Sequence, residues 1–167
     1  MRGIKLVISD NHGGLRDARQ VVLAGVPWQR CQLHLMQNAM THVPKIGMKA
    51  EDASDLRRVF DADEPAEAER RLRDVVARYQ KPAPQLAAWL DDNVPEALTF
   101  LRVPAAHRWR LRTTNGLERL NKDIKRRTRV ATLFPNAASL LRLAPAVLSK
   151  ISDDWVTERA YLTMEAR

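Results

Sequence analysis

The stretch Ile4-Lys5-Leu6-Val7-Ile8-Ser9-Asp10-Asn11-His12-Gly13-Gly14 decides how this chain is read. The mostly apolar, β-rich run Ile4 to Ile8 predicts a short buried strand, and the Ser/Asp/Asn/Gly cluster after it predicts a turn. Beyond the turn, Leu15, Ala18, Val21 and Val22 share one face of a helix whose stop is Gly25. Pro27 then opens a second short strand, Trp28 to Leu33, with Cys31 and Leu33 on a common face. A further helix, from about His34 to His42, ends before Pro44. Strand, helix, strand and helix in that order predict a parallel pair in an α/β layer, because parallel strands need a crossover that a helix supplies. A buried strand is never the first and only strand of a sheet, so Ile4–Ile8 is expected to begin in mid-fold or to pair elsewhere.

Outward from this unit the pattern changes. The segment Glu67 to Arg78 has helical periodicity and opposite charges four residues apart. Further helical stretches near 51–60, 84–92 and 95–101 are separated by Pro65, Pro82, Pro84 and Pro95. Residues 50–104 therefore read as an all-helical insertion. A last helix, from about Ala137 to Leu162, carries Leu140, Leu141, Leu143, Val147, Leu148, Ile151 and Trp155, with Pro145 expected to kink it.

Charge is segregated along the chain. The net charge is +8. Residues 1–50 carry +5 and residues 51–97 carry −5, while 102–129 hold ten Lys/Arg against only Glu118 and Asp123. A pI near 10.2 points to a polyanionic partner, and the segregation points to one basic surface. One cysteine, Cys31, excludes an internal disulfide and fits a reducing cytoplasm. No apolar run approaches the roughly 18 residues of a membrane span, and the amino terminus lacks a signal-peptide core.

Three groups of residues carry candidate chemistry. Asp10 sits just past the carboxyl end of a strand, where sites of open α/β sheets collect; Asp10 or Asn11 also suits the N-cap of the next helix. Glu118 heads a helix that turns basic. As Asn115-x-x-Glu118 it has capping-box spacing, and the helix dipole favours an acid in the first turn. Its helix nevertheless places Leu117, Leu120 and Ile124 on an apolar stripe, and Glu118, Asn121, Lys122, Lys125 and Arg129 on an adjoining face. A carboxylate leading into cations suits a metal ion beside a phosphodiester backbone; the plainer alternative is a solvated charged face. Cys31-x-x-His34 offers zinc-type ligands, but two ligands do not complete a tetrahedral site. A buried cysteine beside a hydrogen-bonded histidine is the simpler account. A Cys-His nucleophilic pair lacks an orienting acid at recognisable spacing.

Together these segments resemble the carboxyl-terminal part of Mutator-type bacterial insertion-sequence transposases. The resemblance rests on Val7-Ile8-Ser9-Asp10-x-His12-x-Gly14-Leu15, on Val26-Pro27-Trp28-Gln29-Arg30-Cys31-Gln32-Leu33-His34, and on Arg112-Thr113-Thr114-Asn115 through Val130 followed by Phe134-Pro135-Asn136. It implies a partial RNase H-like, retroviral-integrase-like fold, α/β and mostly helical, with opening strands missing. By it, residues 1–49 are part of the catalytic core, 50–104 the helical insertion, and 105–167 the helices that complete the core. Asp10 corresponds to the second and Glu118 to the third acid of a DDE triad, both metal ligands and 108 residues apart. Cys31 and His34 match a signature that the family carries between those acids.

The resemblance further implies Mg2+ or Mn2+ as cofactor. It implies double-stranded DNA, both transposon ends and target, as partner. Arg112, Asn115, Arg119, Asn121, Lys122, Lys125, Arg126, Arg127 and Arg129 are the candidate DNA contacts. A homo-oligomer or a full-length transposase is the implied protein partner, no membrane is involved, and the implied location is the bacterial cytoplasm, at the nucleoid. The family's first Asp lies on a strand preceding Ile4–Ile8, and no Asp precedes Asp10 here. A truncated chain with weak or absent metal binding, inactive alone, is therefore expected. The alternatives are a non-catalytic DNA-binding or transposase-interacting fragment, and a structure-selective nuclease of the same fold class. The nuclease would need a third acid, and Asp123 points to a different helix face from Glu118.

Overall fold

The computed structural model describes residues 3–130 and 136–157. The chain divides into two compact units, Met1–Thr113 and Thr114–Arg167.

The first unit opens with the expected βαβα order: β1 (Val7–Ser9), α1 (Gly13–Val22), β2 (Trp28–Arg30) and α2 (Gln32–His42). The two strands pair in parallel, with Val7 opposite Trp28, Ile8 opposite Gln29 and Ser9 opposite Arg30. Their ladder continues at both ends, where the Val7 amide donates to the Pro27 carbonyl and the Cys31 amide to the Ser9 carbonyl, each at 2.9 Å. Both strands are shorter than the sequence predicts. β1 begins at Val7 and is half-buried, because among the described residues it has one neighbouring strand. β2 ends at Arg30, so Leu33 lies in the first turn of α2 and is 36% exposed while Cys31 is fully buried. The two therefore do not share a strand face, because α2 begins two residues earlier than its periodicity suggests.

Helix α1 also departs from expectation. Leu15, Val21 and Val22, the apolar face read from the sequence, are exposed, and no α1 residue is buried. The helix ends at Val22, and Gly25, two residues beyond the C-cap, takes a φ of 82°, a left-handed conformation that glycine adopts without a Cβ clash.

The proline-punctuated region is helical as expected: α3 (Lys49–Phe60), α4 (Pro65–Tyr79) and α5 (Pro84–Asn93). Pro65 and Pro84 each open a helix, where their missing N–H is of no consequence. The stretch near 95–101 is a pair of 3-10 turns, Val94–Ala97 and Thr99–Arg102, rather than one α-helix. Its Leu, Val and Tyr side chains build the main core. Leu56, Val59, Phe60, Leu72, Val75, Tyr79, Leu86, Leu90 and Val94 pack with Leu35 and Ala39 of α2 and with Val43 just past its end. The core thus lies among helices, with the sheet at its margin. A short α6 (Ala105–Arg108) ends the unit's regular structure.

The second unit consists of α7 (Asn115–Val130) and α8 (Ala137–Thr157), which pack on each other. Along α7, Leu120 and Ile124 are half-buried but Leu117 is 56% exposed, so the predicted apolar stripe is covered only in part. Val147 of α8 is buried, and Pro145 lies inside the helix. Phe134, Pro135, the Trp155 side chain and the extension of the last helix over 158–162 lie outside the described residues.

Candidate functional site

The parallel register brings Asp10 to the Cys-x-x-His motif. Asp10 follows β1 directly and Cys31 follows β2 directly, and with Ser9 opposite Arg30 the two residues leave the same, carboxyl edge of the sheet side by side. Cys31 is the N-cap residue of α2, and its carbonyl accepts the Leu35 amide at 3.0 Å. One turn on, His34 projects back to the same edge. Its Nδ1 lies 2.7 Å from Oδ1 of Asp10, an ion-pair contact when the imidazole is protonated. The Asp10 side chain is 48% exposed and that of His34 31%, so the pair is open to solvent over a buried thiol. An Asp10 oxygen, the Cys31 sulfur and a His34 ring nitrogen lie within 4.8 Å of one another.

The loop bearing Asp10 is braced from β2. Trp28 donates its indole N–H to the Ser9 hydroxyl at 3.0 Å, and that hydroxyl donates to the Asp10 carbonyl at 2.9 Å. The Arg19 guanidinium lies over the Trp28 ring, 4.7 Å from its centre. Asp10 does not cap α1: the N-cap residue is His12, and no side chain caps it. Deeper still, Gln29 is fully buried and spans from β2 to the helical region. Its amide donates to the carbonyls of Arg30 and Ala97, both at 2.8 Å, and its Oε1 accepts the Phe100 amide at 2.8 Å. Arg30, 3% exposed, bonds Asn93 at 2.7 Å and Glu96 at 3.1 Å. Apart from the Arg30 carbonyl, these partners lie 63 to 71 residues away in sequence, so no local pattern pointed to them.

Among the basic candidates, Arg112 stands apart. It belongs to the first unit, where its guanidinium donates to Gln32 at 2.8 Å and to Asp61 at 2.9 Å, and lies over the Phe100 ring. These contacts tie the 110s to α2 and α3, which is a structural task. Asn115, Arg119, Asn121, Lys122, Lys125, Arg126, Arg127 and Arg129 all lie on α7 and are exposed. Glu118 sits in the first turn of that helix, half-buried. The Thr114 hydroxyl, just before the helix, donates to Glu118 Oε1 at 3.3 Å, and the Glu118 amide donates to the Thr114 carbonyl at 3.0 Å. The helix starts at Asn115, so Thr114 rather than Asn115 is the residue that precedes it. Arg126 pairs with Asp123 at 3.0 Å.

Several cations of the helical region are committed to acids. Arg78 holds Asp55 at 2.8 Å, Arg70 holds Glu67 and Asp74 at 2.9 Å, and Arg71 holds Glu67 at 2.7 Å. In α7, by contrast, six Lys/Arg meet two acids. Among the described residues, no helix is long and apolar enough to cross a membrane.

The profile described as "Transposase, Mutator family" matches residues 1–158. The transposase for insertion sequence element IS406 of Burkholderia multivorans is 48% identical over 162 residues, 97% of this chain and 42% of that protein. The transposase for ISRM5 of Rhizobium meliloti is 36% identical over 99% of this chain and 41% of its own length. The transposase for IS256 in transposon Tn4001 of Staphylococcus aureus is 35% identical over 99% of this chain and 43% of its own. The chain spans about two fifths of the length of these relatives.

Proposed function

The chain belongs to the Mutator family of insertion-sequence transposases, and from that premise we propose that it takes part in DNA transposition through Asp10, Glu118 and α7. In this reading β1–α1–β2 is a piece of an RNase H-like core. Asp10 and Glu118 are two of the three carboxylates that bind divalent metal, and the exposed cations of α7 hold the DNA backbone beside Glu118.

The observation that carries the reading is the place of Asp10. It stands at the carboxyl edge of the parallel pair, braced by Ser9 and Trp28, half-exposed and in contact with His34. An exposed carboxylate in a fixed loop is the hard oxygen donor that Mg2+ prefers. Glu118, at the head of a basic helix, is a donor of the same kind. When bound, such ions activate the attacking oxygen and stabilise the leaving oxygen in phosphodiester cleavage and strand transfer. The residues of this chain do the rest. His34 orients the Asp10 carboxylate, Thr114 orients that of Glu118, and Lys122, Lys125, Arg126 and Arg129 neutralise phosphates without reading bases. Transposon-end and target DNA are the substrates, and a further copy or a longer transposase is the protein partner.

The test is a cleavage assay on transposon-end duplex with Mg2+, with the family's amino-terminal part supplied in trans. Nicking that is lost in both Asp10→Asn and Glu118→Gln supports the reading. Nicking that survives either substitution rejects that acid as a metal ligand. Binding of DNA without any nicking favours the non-catalytic alternative.

A further inference from the structure

The geometry points to a second kind of metal site at the sheet edge: Asp10, Cys31 and His34 together bind a thiophilic divalent cation of the zinc type. From the sequence, Cys31 and His34 supply two ligands and fall short of a site. The third comes from 21 residues upstream, delivered by the parallel register, and the three ligand atoms gather within 4.8 Å. In a tetrahedral zinc site, with bonds of about 2.0–2.3 Å, ligand atoms stand roughly 3.5 Å apart. The separations here, 2.7 Å between Asp10 and His34 and none above 4.8 Å, bracket that value.

The backbone that carries them is already fixed. The Cys31 amide is bonded to Ser9, the Cys31 carbonyl accepts the first helical bond of α2, and the Asp10 loop is braced by Trp28. The donor set discriminates between cations. A thiolate and an imidazole are poor ligands for Mg2+ and good ones for Zn2+ or Co2+. Three protein ligands, two of them partly exposed, leave a fourth position for water from solvent. An ion held here takes up Asp10. It therefore competes with the use of that carboxylate proposed above, a consequence that rests on that reading, whereas the site itself does not.

Cobalt is the probe. Titration of the metal-free 167-residue chain with Co2+ is expected to give a sulfur-to-cobalt charge-transfer band that saturates at one equivalent and is bleached by stoichiometric Zn2+. Cys31→Ser abolishes the band. His34→Gln and Asp10→Ala, at partly exposed positions, weaken Co2+ binding by at least the roughly 10-fold that losing even an outer hydrogen-bonding partner costs a metal site. Should Cys31→Ser fail to fold by circular dichroism, the latter two variants carry the test. No charge-transfer band at stoichiometric Co2+ would overturn the proposal. So would a band whose titration is unchanged in both His34→Gln and Asp10→Ala. Either result leaves the transposase reading intact, because the signal comes from the thiolate and not from cleavage of DNA.

Discussion

Gln29 shows what a single buried polar residue does in this chain. Its side chain makes three hydrogen bonds to backbone groups of Arg30, Ala97 and Phe100, two of which lie in the 3-10 turns after α5. Gln29→Leu would leave the Phe100 amide and the Ala97 carbonyl with fewer partners in a dry site, at about 1–3 kcal/mol per stranded group. Ala97 keeps a bond from Gln32 at 3.1 Å, which limits the loss there. A fall of about 2–4 kcal/mol in urea unfolding is the expected result. Asp52 makes the opposite case. It is fully buried, and among the described residues neither carboxylate oxygen has a hydrogen-bond partner. Burial first, and the nearby Asp55 second, push its pKa up to about 6. The folded state therefore holds the Asp52 proton more tightly than the unfolded chain. The stability this contributes is complete below about pH 4 and is lost as pH rises through about 6. Asp52→Asn should flatten the stability profile across that window, by up to about 3 kcal/mol, in unfolding curves taken at successive pH values. Neither role is legible in the sequence. Gln29 sits between Trp28 and Arg30 with nothing to mark it as buried, and Asp52 follows the exposed Glu51 in an acidic stretch with nothing to set the two apart.

At the scale of elements, α7 is the part whose behaviour follows most directly from its residues. Periodicity places Glu118, Asn121, Lys122, Lys125 and Arg129 on one face, and the structure shows all of these but the half-buried Glu118 exposed. Contacts of this kind release counterions. Lys122→Ala and Arg129→Ala should each lower the slope of log affinity for duplex DNA against log salt by about one, with little change in sequence preference. Arg70→Ala, in a helix where Glu67 and Asp74 already engage the guanidinium, should leave that slope unchanged. Fluorescence anisotropy at several salt concentrations reads both. Helices α3, α4 and α5 were equally legible, since prolines and charge pairs mark their limits. The strands were less so. β1 and β2 are each three residues long, and at that length the onset of a neighbouring helix, not β propensity, sets where a strand stops. Leu15, Val21 and Val22 form an apolar face along α1 yet remain exposed, because a pattern states what a helix is able to bury and not whether a partner is there.

At the scale of the molecule, the 167 residues hold two of the three carboxylates proposed for phosphodiester chemistry and span about two fifths of the relatives' length. This chain alone is therefore predicted to bind duplex DNA in a salt-dependent way and to bind Mg2+ weakly. Magnesium-dependent nicking of transposon ends by the chain without a complement would overturn the assignment of a three-carboxylate mechanism. The family, the helical segments and the basic helix were all present in the order of residues, because each depends on neighbours within a few positions: periodicity, proline, and charge density. The meeting of Asp10, Cys31 and His34 was not. It depends on Ser9 pairing with Arg30 across a helical crossover, and the burial of Gln29 and Arg30 depends on segments some 65 residues away folding against β2. Contacts of that range arise only when the chain closes on its core, so three-dimensional packing, and not local pattern, turned a two-ligand motif into a three-ligand cluster.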